Sequence, residues 1–307
     1  MKIAFCFPGQ GSVEQGMGRE IAEAVPESME VFERASIASG LDLKQLCFES
    51  PLSALVATEV QQPALVAASL AVLAALRARG IEPDYVIGHS VGEFAALAAA
   101  GAVDVEEAVE LVRERGMAMA EAARQHPGSM AAILGLEDEV VEELCRGISG
   151  VWPANYNCPG QLVVSGAHAS VDECCDQAEE RGAKRAVKLK VSGAFHSPLV
   201  ARAAERLKPA VDRIKFATPA APFMSTVTAK VEPAQRLGTL LVDQLTSPVR
   251  FTQATRELIK DGVGTFVEVG PGNVLSGLVK RIDRSVKAVS VSNLSGLQKL
   301  DEALDSA

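Results

Sequence analysis

Tyr85-Val86-Ile87-Gly88-His89-Ser90-Val91-Gly92-Glu93-Phe94-Ala95-Ala96-Leu97 is the stretch that decides the fold. Tyr85–Gly88 is a short apolar run that reads as a buried strand, and an Ala-rich helix is expected from Val91 to Ala100. A strand that feeds a helix through so tight a turn predicts an α/β layer fold with a parallel sheet. The five residues between them, Gly88 to Gly92, fit G-x-S-x-G. In that turn the serine oxygen stands exposed at the C-terminal edge of the sheet, and side chains in place of the glycines would clash. The free N–H groups at the start of the following helix suit an oxyanion. The plainer reading is a Ser/Gly turn that only caps a helix; the strand and helix on either side favour a nucleophile.

Working outward, Ile3–Phe7 is a second buried strand, followed by the loop Pro8-Gly9-Gln10-Gly11-Ser12. Gln62-Pro63 is expected to open a long Ala/Leu helix that runs to about Arg79 and is closed by Gly80. Thr265–Val269 is a further strand, Gly270-Pro271-Gly272 a turn, Leu275–Ile282 a helix and Lys287–Val291 the last strand. The middle differs. Strands are expected at Ser129–Gly135, Val151–Asn155, Leu162–Ser165 and Ala186–Val191, with helices at Asp138–Ile148 and Ser170–Arg181. The order βαββαβ is that of the ferredoxin-like unit. Residues 126–194 are therefore expected to form a small domain inserted into a larger α/β domain made of residues 1–125 and 195–307.

The 307 residues are 48% hydrophobic, enough for a large core, and carry a net charge of −9, which argues against general nucleic-acid binding. Six cysteines form no C-x-x-C pair and no zinc-type cluster with histidine; Cys6 and Cys145 read as small core hydrophobes. No metal is expected. The apolar run at Ile3–Phe7 is cut by Pro8, unlike a signal peptide, and the uncharged stretch Ala64–Leu76 is short for a bilayer, so a cytoplasmic protein without a membrane partner is expected.

A serine hydroxyl needs a base. Of the four histidines, His89 lies within the turn, and His126 and His168 lie in loops. His196 follows Gly193-Ala194-Phe195 where the inserted unit returns to the main domain, and by elimination it is the best base. Arg115 adds a second clue. On the amphipathic helix expected over Asp104–Ala122, it projects among Val105, Ala108, Leu111, Val112 and Met119, whereas Arg113 falls on the solvated face near Glu110. A buried guanidinium stays charged and needs a partner. That partner is either a carboxylate from another segment or an acid group on a ligand.

Together these segments resemble the malonyl-CoA:acyl-carrier-protein transacylases of fatty acid synthesis and the acyltransferase domains of polyketide synthases. The resemblance spans essentially the whole chain. It rests on Phe7-Pro8-Gly9-Gln10-Gly11-Ser12, Gln62-Pro63-Ala64, Gly88-His89-Ser90-Val91-Gly92-Glu93, Arg115-Gly116, Asn155-Tyr156-Asn157, Pro159-Gly160-Gln161, Gly193-Ala194-Phe195-His196-Ser197 and Glu268-Val269-Gly270-Pro271-Gly272. It implies an α/β-hydrolase-like core with a parallel sheet and an inserted ferredoxin-like domain. It further implies Ser90 as the acylated nucleophile, His196 as its base, and the N–H groups of Gln10 and Val91 as the oxyanion hole. Arg115 would grip the malonyl carboxylate, with Met119, Phe195, Asn155 and Gln62 around the substrate. The main-chain carbonyl near Gln244 would hold the histidine in place of an aspartate. Val13 is a departure, because the family usually has Gln there; Gln10 is retained.

The resemblance also implies a ping-pong reaction with no resident cofactor, malonyl-CoA as substrate, coenzyme A as product, and a phosphopantetheinylated acyl carrier protein as partner of a monomer. An acidic carrier needs a local basic surface. Lys280, Arg281, Arg284, Lys188 and Lys190 could form it, or could simply solubilise the protein. Alternatives are a stand-alone acyltransferase of a polyketide pathway, a serine esterase or thioesterase on a similar core, and a non-catalytic scaffold that binds carrier. Hydrolases of this type usually place a histidine late in the chain, and none follows His196.

Overall fold

The computed structural model describes residues 2–305. Its strands are β1 (Lys2–Phe7), β2 (Tyr85–Gly88), β3 (Ser129–Leu134), β4 (Val151–Cys158), β5 (Gln161–Gly166), β6 (Arg185–Lys188), β7 (Phe223–Ser225), β8 (Lys230–Val231), β9 (Val263–Val269) and β10 (Lys287–Val291). The main sheet has the order β10-β9-β1-β2-β7-β8. Every pairing from β10 to β7 is parallel, and only β8 runs against its neighbour. The parallel α/β layer expected from residues 85–97 is thus the architecture of this sheet.

Alternation along these strands explains why helices cover both faces. Phe5, Phe7, Val86 and Val267 point into a core shared with the helices Thr58–Arg77, Gly92–Ala99 and Val105–Gln125. Ala4, Cys6, Ile87 and Phe266 point the other way, onto the helices Phe251–Lys260 and Val274–Ile282. β1 and β2 lie side by side with Phe7 opposite Gly88, so the loops that leave their C-terminal ends meet.

The first long helix corrects the expected start at Gln62-Pro63: it begins at Thr58, and Pro63 lies inside it. Proline has no N–H to give the carbonyl four residues earlier. That carbonyl, Glu59 O, instead accepts from Arg113 Nη1 at 2.5 Å. Arg113 is therefore not the free surface charge expected beside Glu110; it repairs the proline defect in a neighbouring helix. Gly116 allows that approach, since a Cβ there would lie 2.8 Å from Glu59 Cα. Thr58–Arg77 is long and apolar enough to cross a membrane, but 78% of its most apolar window is buried inside the protein, as befits a core helix. The helix bearing Arg115 runs further than expected, Val105–Gln125, and is started by a capping box between Asp104 and Glu107.

The second sheet is antiparallel, in the order β4-β5-β3-β6. Ala131, Ile133, Leu162 and Val164 face the helices Asp138–Gly147 and His168–Glu180. Met130, Ala132, Ala154 and Val163 face the opposite way and join the main core. β4 is longer than expected and reaches Cys158, whereas β6 stops at Lys188, short of Val191. The N–H of Val191 bonds back to Leu189 O, and that tight turn takes the chain out of the sheet towards Gly193.

Candidate active site

β2 delivers the chain into the turn, and the turn closes because both glycines lack side chains. A Cβ at Gly88 would lie 2.2 Å from Glu93 N, and one at Gly92 would lie 2.1 Å from Phe7 O. Ser90 is left with φ +52° and His196 with φ +58°. Such left-handed conformations cost a non-glycine residue about 1–3 kcal/mol each. Apart from Ala229, these are the non-glycine residues with positive φ among the described residues, and they face each other.

Ser90 Oγ lies 2.8 Å from His196 Nε2. On the far side of the ring, Nδ1 lies 2.9 Å from Gln244 O and 3.1 Å from Ser247 O. Two carbonyls can only accept, so Nδ1 carries the hydrogen and Nε2 offers its lone pair to the serine. Arg115 Nη2 donates to the same Oγ at 3.0 Å, which leaves the serine O–H to point at Nε2. Burial holds the His196 pKa down to about 3, and the positive charge of Arg115 pushes the same way. The imidazole is thus a neutral base over the physiological range.

Arg115 is 1% exposed and forms no ion pair among the described residues. Neutral oxygens surround it instead. Nη1 donates to Gln62 Oε1 at 2.8 Å, and Nη2 donates to Gln244 Oε1 at 2.9 Å as well as to Ser90. Burial lowers its pKa to about 9, opposed by the charge of Glu93. Gln62 Nε2 in turn donates to Met119 Sδ at 3.4 Å, so Gln62, Met119 and Arg115 form one wall.

The main-chain N–H groups of Gln10 and Val91 have no acceptor among the described residues. Their loops are held together by His89 N, which donates to Phe7 O at 2.9 Å. The Gln10 side chain donates to Thr58 Oγ1 at 3.4 Å, and Thr58 Oγ1 lies 2.9 Å from Ser192 Oγ. Phe195 is buried beside His196. Asn155 stands apart from this hydrogen-bonded centre; its strand meets Val249, downstream of Gln244.

Several hydrogen bonds in or beside this centre were not foreseen. Glu93 is fully buried and accepts from Thr226 N, Thr226 Oγ1 and Gln244 Nε2. The side chain of Gln244 belongs to the site along with its carbonyl, and Ser247 supplies a second carbonyl. Asn157 Oδ1 accepts from His89 Nε2 at 2.9 Å and fixes that ring against the turn. A lone carboxylate at the head of the apolar run Phe94–Leu97 was a readable signal for Glu93; the Gln244 side chain and Ser247 sit in an ordinary polar segment and gave none. Among the basic residues, Lys188 pairs with Asp172 and Arg281 donates to Gln161 Oε1 at 2.6 Å, while Lys190, Lys280 and Arg284 are exposed.

The arrangement can form and resolve a serine ester next to a fixed positive charge. Comparison with known proteins gives it a context. The acyl transferase domain model matches residues 4–305. A malonyl CoA-acyl carrier protein transacylase of Bacillus subtilis is 44% identical, across 100% of this chain and 99% of that protein. The crystal structure of a malonyl CoA-acyl carrier protein transacylase from Clostridium perfringens superposes with a TM-score of 0.96 at 38% identity, covering 100% of this chain and 98% of that one. A malonyl-transacylase solved with a type II polyketide acyl carrier protein superposes at 0.95 with 37% identity, over 99% of this chain and 100% of that one.

Proposed function

The chain belongs to the acyl transferase domain family, and from that premise we infer that it moves malonyl groups from coenzyme A to the phosphopantetheine thiol of an acyl carrier protein, through an ester on Ser90. The observation that carries the chemistry is the approach of both His196 Nε2 and Arg115 Nη2 to one serine oxygen.

In the first half-reaction His196 Nε2 takes the Ser90 proton as Oγ attacks the thioester carbonyl. The N–H groups of Gln10 and Val91 receive the oxyanion; one such donor is worth about 3–4 kcal/mol. The coenzyme A sulfur leaves with the proton from the imidazolium. Arg115, released from Oγ by ester formation, turns its Nη2 to the malonyl carboxylate. An acetyl group has no such carboxylate, which makes Arg115 the source of selectivity. Gln62 and Met119 line the acyl wall and Phe195 disfavours bulkier acyl groups, while Asn155, apart from this centre, is read as a contact for the rest of the substrate. In the second half-reaction the carrier thiol gives its proton to His196, attacks the ester carbonyl, and Ser90 regains its hydrogen as it leaves.

Residues 126–194 are read as a ferredoxin-like small domain inserted into an α/β-hydrolase-like domain of residues 1–125 and 195–307, of which 1, 306 and 307 lie outside the described residues. The βαββαβ element order and the antiparallel order β4-β5-β3-β6 support this reading. Lys280, Arg281, Arg284, Lys188 and Lys190 are proposed as the basic surface that receives the carrier. The likeness to a transacylase solved with a polyketide carrier keeps a polyketide acceptor as the second reading.

Intact-mass spectrometry tests the ester. Malonyl-CoA should load one malonyl group, absent in Ser90→Ala, that persists in buffer and is discharged when holo-carrier is added. Loading that survives Ser90→Ala would move the nucleophile elsewhere. Discharge to water as fast as to carrier would make the protein a hydrolase. Carriers from the two pathways, compared side by side, decide the acceptor.

A further inference from the structure

Glu93 lies in the first turn of the helix Gly92–Ala99, with no exposed surface. Its two carboxylate oxygens have different partners. Oε1 accepts from Thr226 N at 2.6 Å and from Thr226 Oγ1 at 2.8 Å. Oε2 accepts from Gln244 Nε2, which also donates to Ser90 O at 3.0 Å. The other end of the same amide, Gln244 Oε1, accepts from Arg115 Nη2. A carboxylate and a guanidinium at opposite ends of one amide admit a single orientation of that amide.

We propose that Glu93, acting through the side-chain amide of Gln244, is a positioning residue that aims the Arg115 guanidinium at the acyl carboxylate and so sets the preference for malonyl over acetyl. The proposal rests on the reading of Arg115 as the carboxylate clamp.

A direct Glu93–Arg115 ion pair would fill the donor edge that a substrate carboxylate has to use. The intervening amide avoids that. It fixes one N–H of Arg115, yet leaves Nε buried and without an acceptor among the described residues. The negative charge still acts across the amide, because Glu93 opposes the loss of the Arg115 proton. A purely structural role, holding the turn at Thr226, needs only Oε1. The contact of Oε2 with Gln244 is what ties Glu93 to the acyl site.

The test is a pair of single variants and their double, each assayed with malonyl-CoA and acetyl-CoA. In Glu93→Gln the Thr226 donors keep the new carbonyl oxygen, so the new NH2 group faces Gln244 Nε2. Gln244 must turn over and present its own NH2 to Arg115. The ratio of kcat/KM for malonyl-CoA to that for acetyl-CoA should fall about tenfold or more, the size expected for losing one hydrogen bond to a charged group. Gln244→Met, which keeps the main-chain carbonyl for His196, should lower the ratio similarly. The double variant should add little, because both changes cut one relay. Equal loss with both substrates, or single-variant effects that multiply in the double, would overturn the proposal. If Glu93→Gln fails to fold, the ratio in Gln244→Met decides alone. The Arg115 clamp has its own control: an Arg115→Ala enzyme with an unchanged ratio removes the clamp itself, whereas a collapsed ratio there with normal ratios in the other variants removes only the relay.

Discussion

The outer face of the small antiparallel sheet and the C-terminal edge of the parallel sheet are both buried, but they are filled differently. Between the small sheet and its two helices lie Ala131, Ile133, Val141, Leu144, Leu162, Val164 and Val171, an apolar layer that alternates along each strand. At the edge of the parallel sheet the chain buries Glu93, Arg115, His196, Gln62 and Gln244 and bends Ser90 and His196 into left-handed backbone. The first filling stabilises in proportion to the area it takes from water. The second does not earn its place through stability, because burying charges costs several kcal/mol per ion and apolar replacements of similar volume are often as stable. On the proposed function, the difference separates residues present for the fold from residues present for the reaction, and substitutions on each side should show it.

The largest expected effect is at Arg115. Arg115→Ala should cut kcat/KM for malonyl-CoA by about hundredfold or more, the loss of two charge-assisted hydrogen bonds to a carboxylate. Transfer from acetyl-CoA should fall far less. Steady-state kinetics with both substrates measures this, and an equal fall would place Arg115 with the structural residues.

The mirror experiment is Leu162→Ala. Leu162 is 1% exposed and lies in the apolar layer, away from Ser90. Its truncation should cost about 2–4 kcal/mol in chemical denaturation. The kcat/KM of the folded enzyme should stay as it was. A selective loss of malonyl transfer would mean that the small sheet shapes the acyl site and would dissolve the contrast.

The same contrast explains what the sequence revealed. The strand–turn–helix at residues 85–97 was legible because apolar periodicity and two glycines are local signals, and Arg115 was legible because it breaks such a pattern. The start of the first helix was misread because Pro63 looks like a boundary; the guanidinium that satisfies the orphaned carbonyl comes from 54 residues away. The Gln244 amide was invisible for a related reason. It matters only because two other segments, one with Ser90 and Glu93 and one with Arg115, come together around it. Glu93 followed the same logic as Arg115, a charge on an apolar helix, and could have been found by it.

The smallest effect is a slope, and its sign follows from His196. The unfolded chain protonates this ring near pH 6.5, whereas the folded protein resists until about pH 3. The stability that comes with a neutral buried His196 is therefore complete above pH 6.5. It is lost as pH falls, by about 1.4 kcal/mol per pH unit at most. Glu93 pulls the opposite way: burial raises its pKa to about 7, so its ionised form is penalised in the fold, and its contribution grows as pH falls from 7 towards the ordinary carboxylate range. The two nearly mask each other in the native protein, and His196→Gln separates them. Denaturation at pH 7.5, 6 and 5 should show the variant gaining on the native protein with each acid step. A constant difference across the three would mean that the His196 ring titrates normally in the fold. Arg115 could not then be depressing it, and the apolar and polar regions would differ less in their electrostatics than their residues suggest.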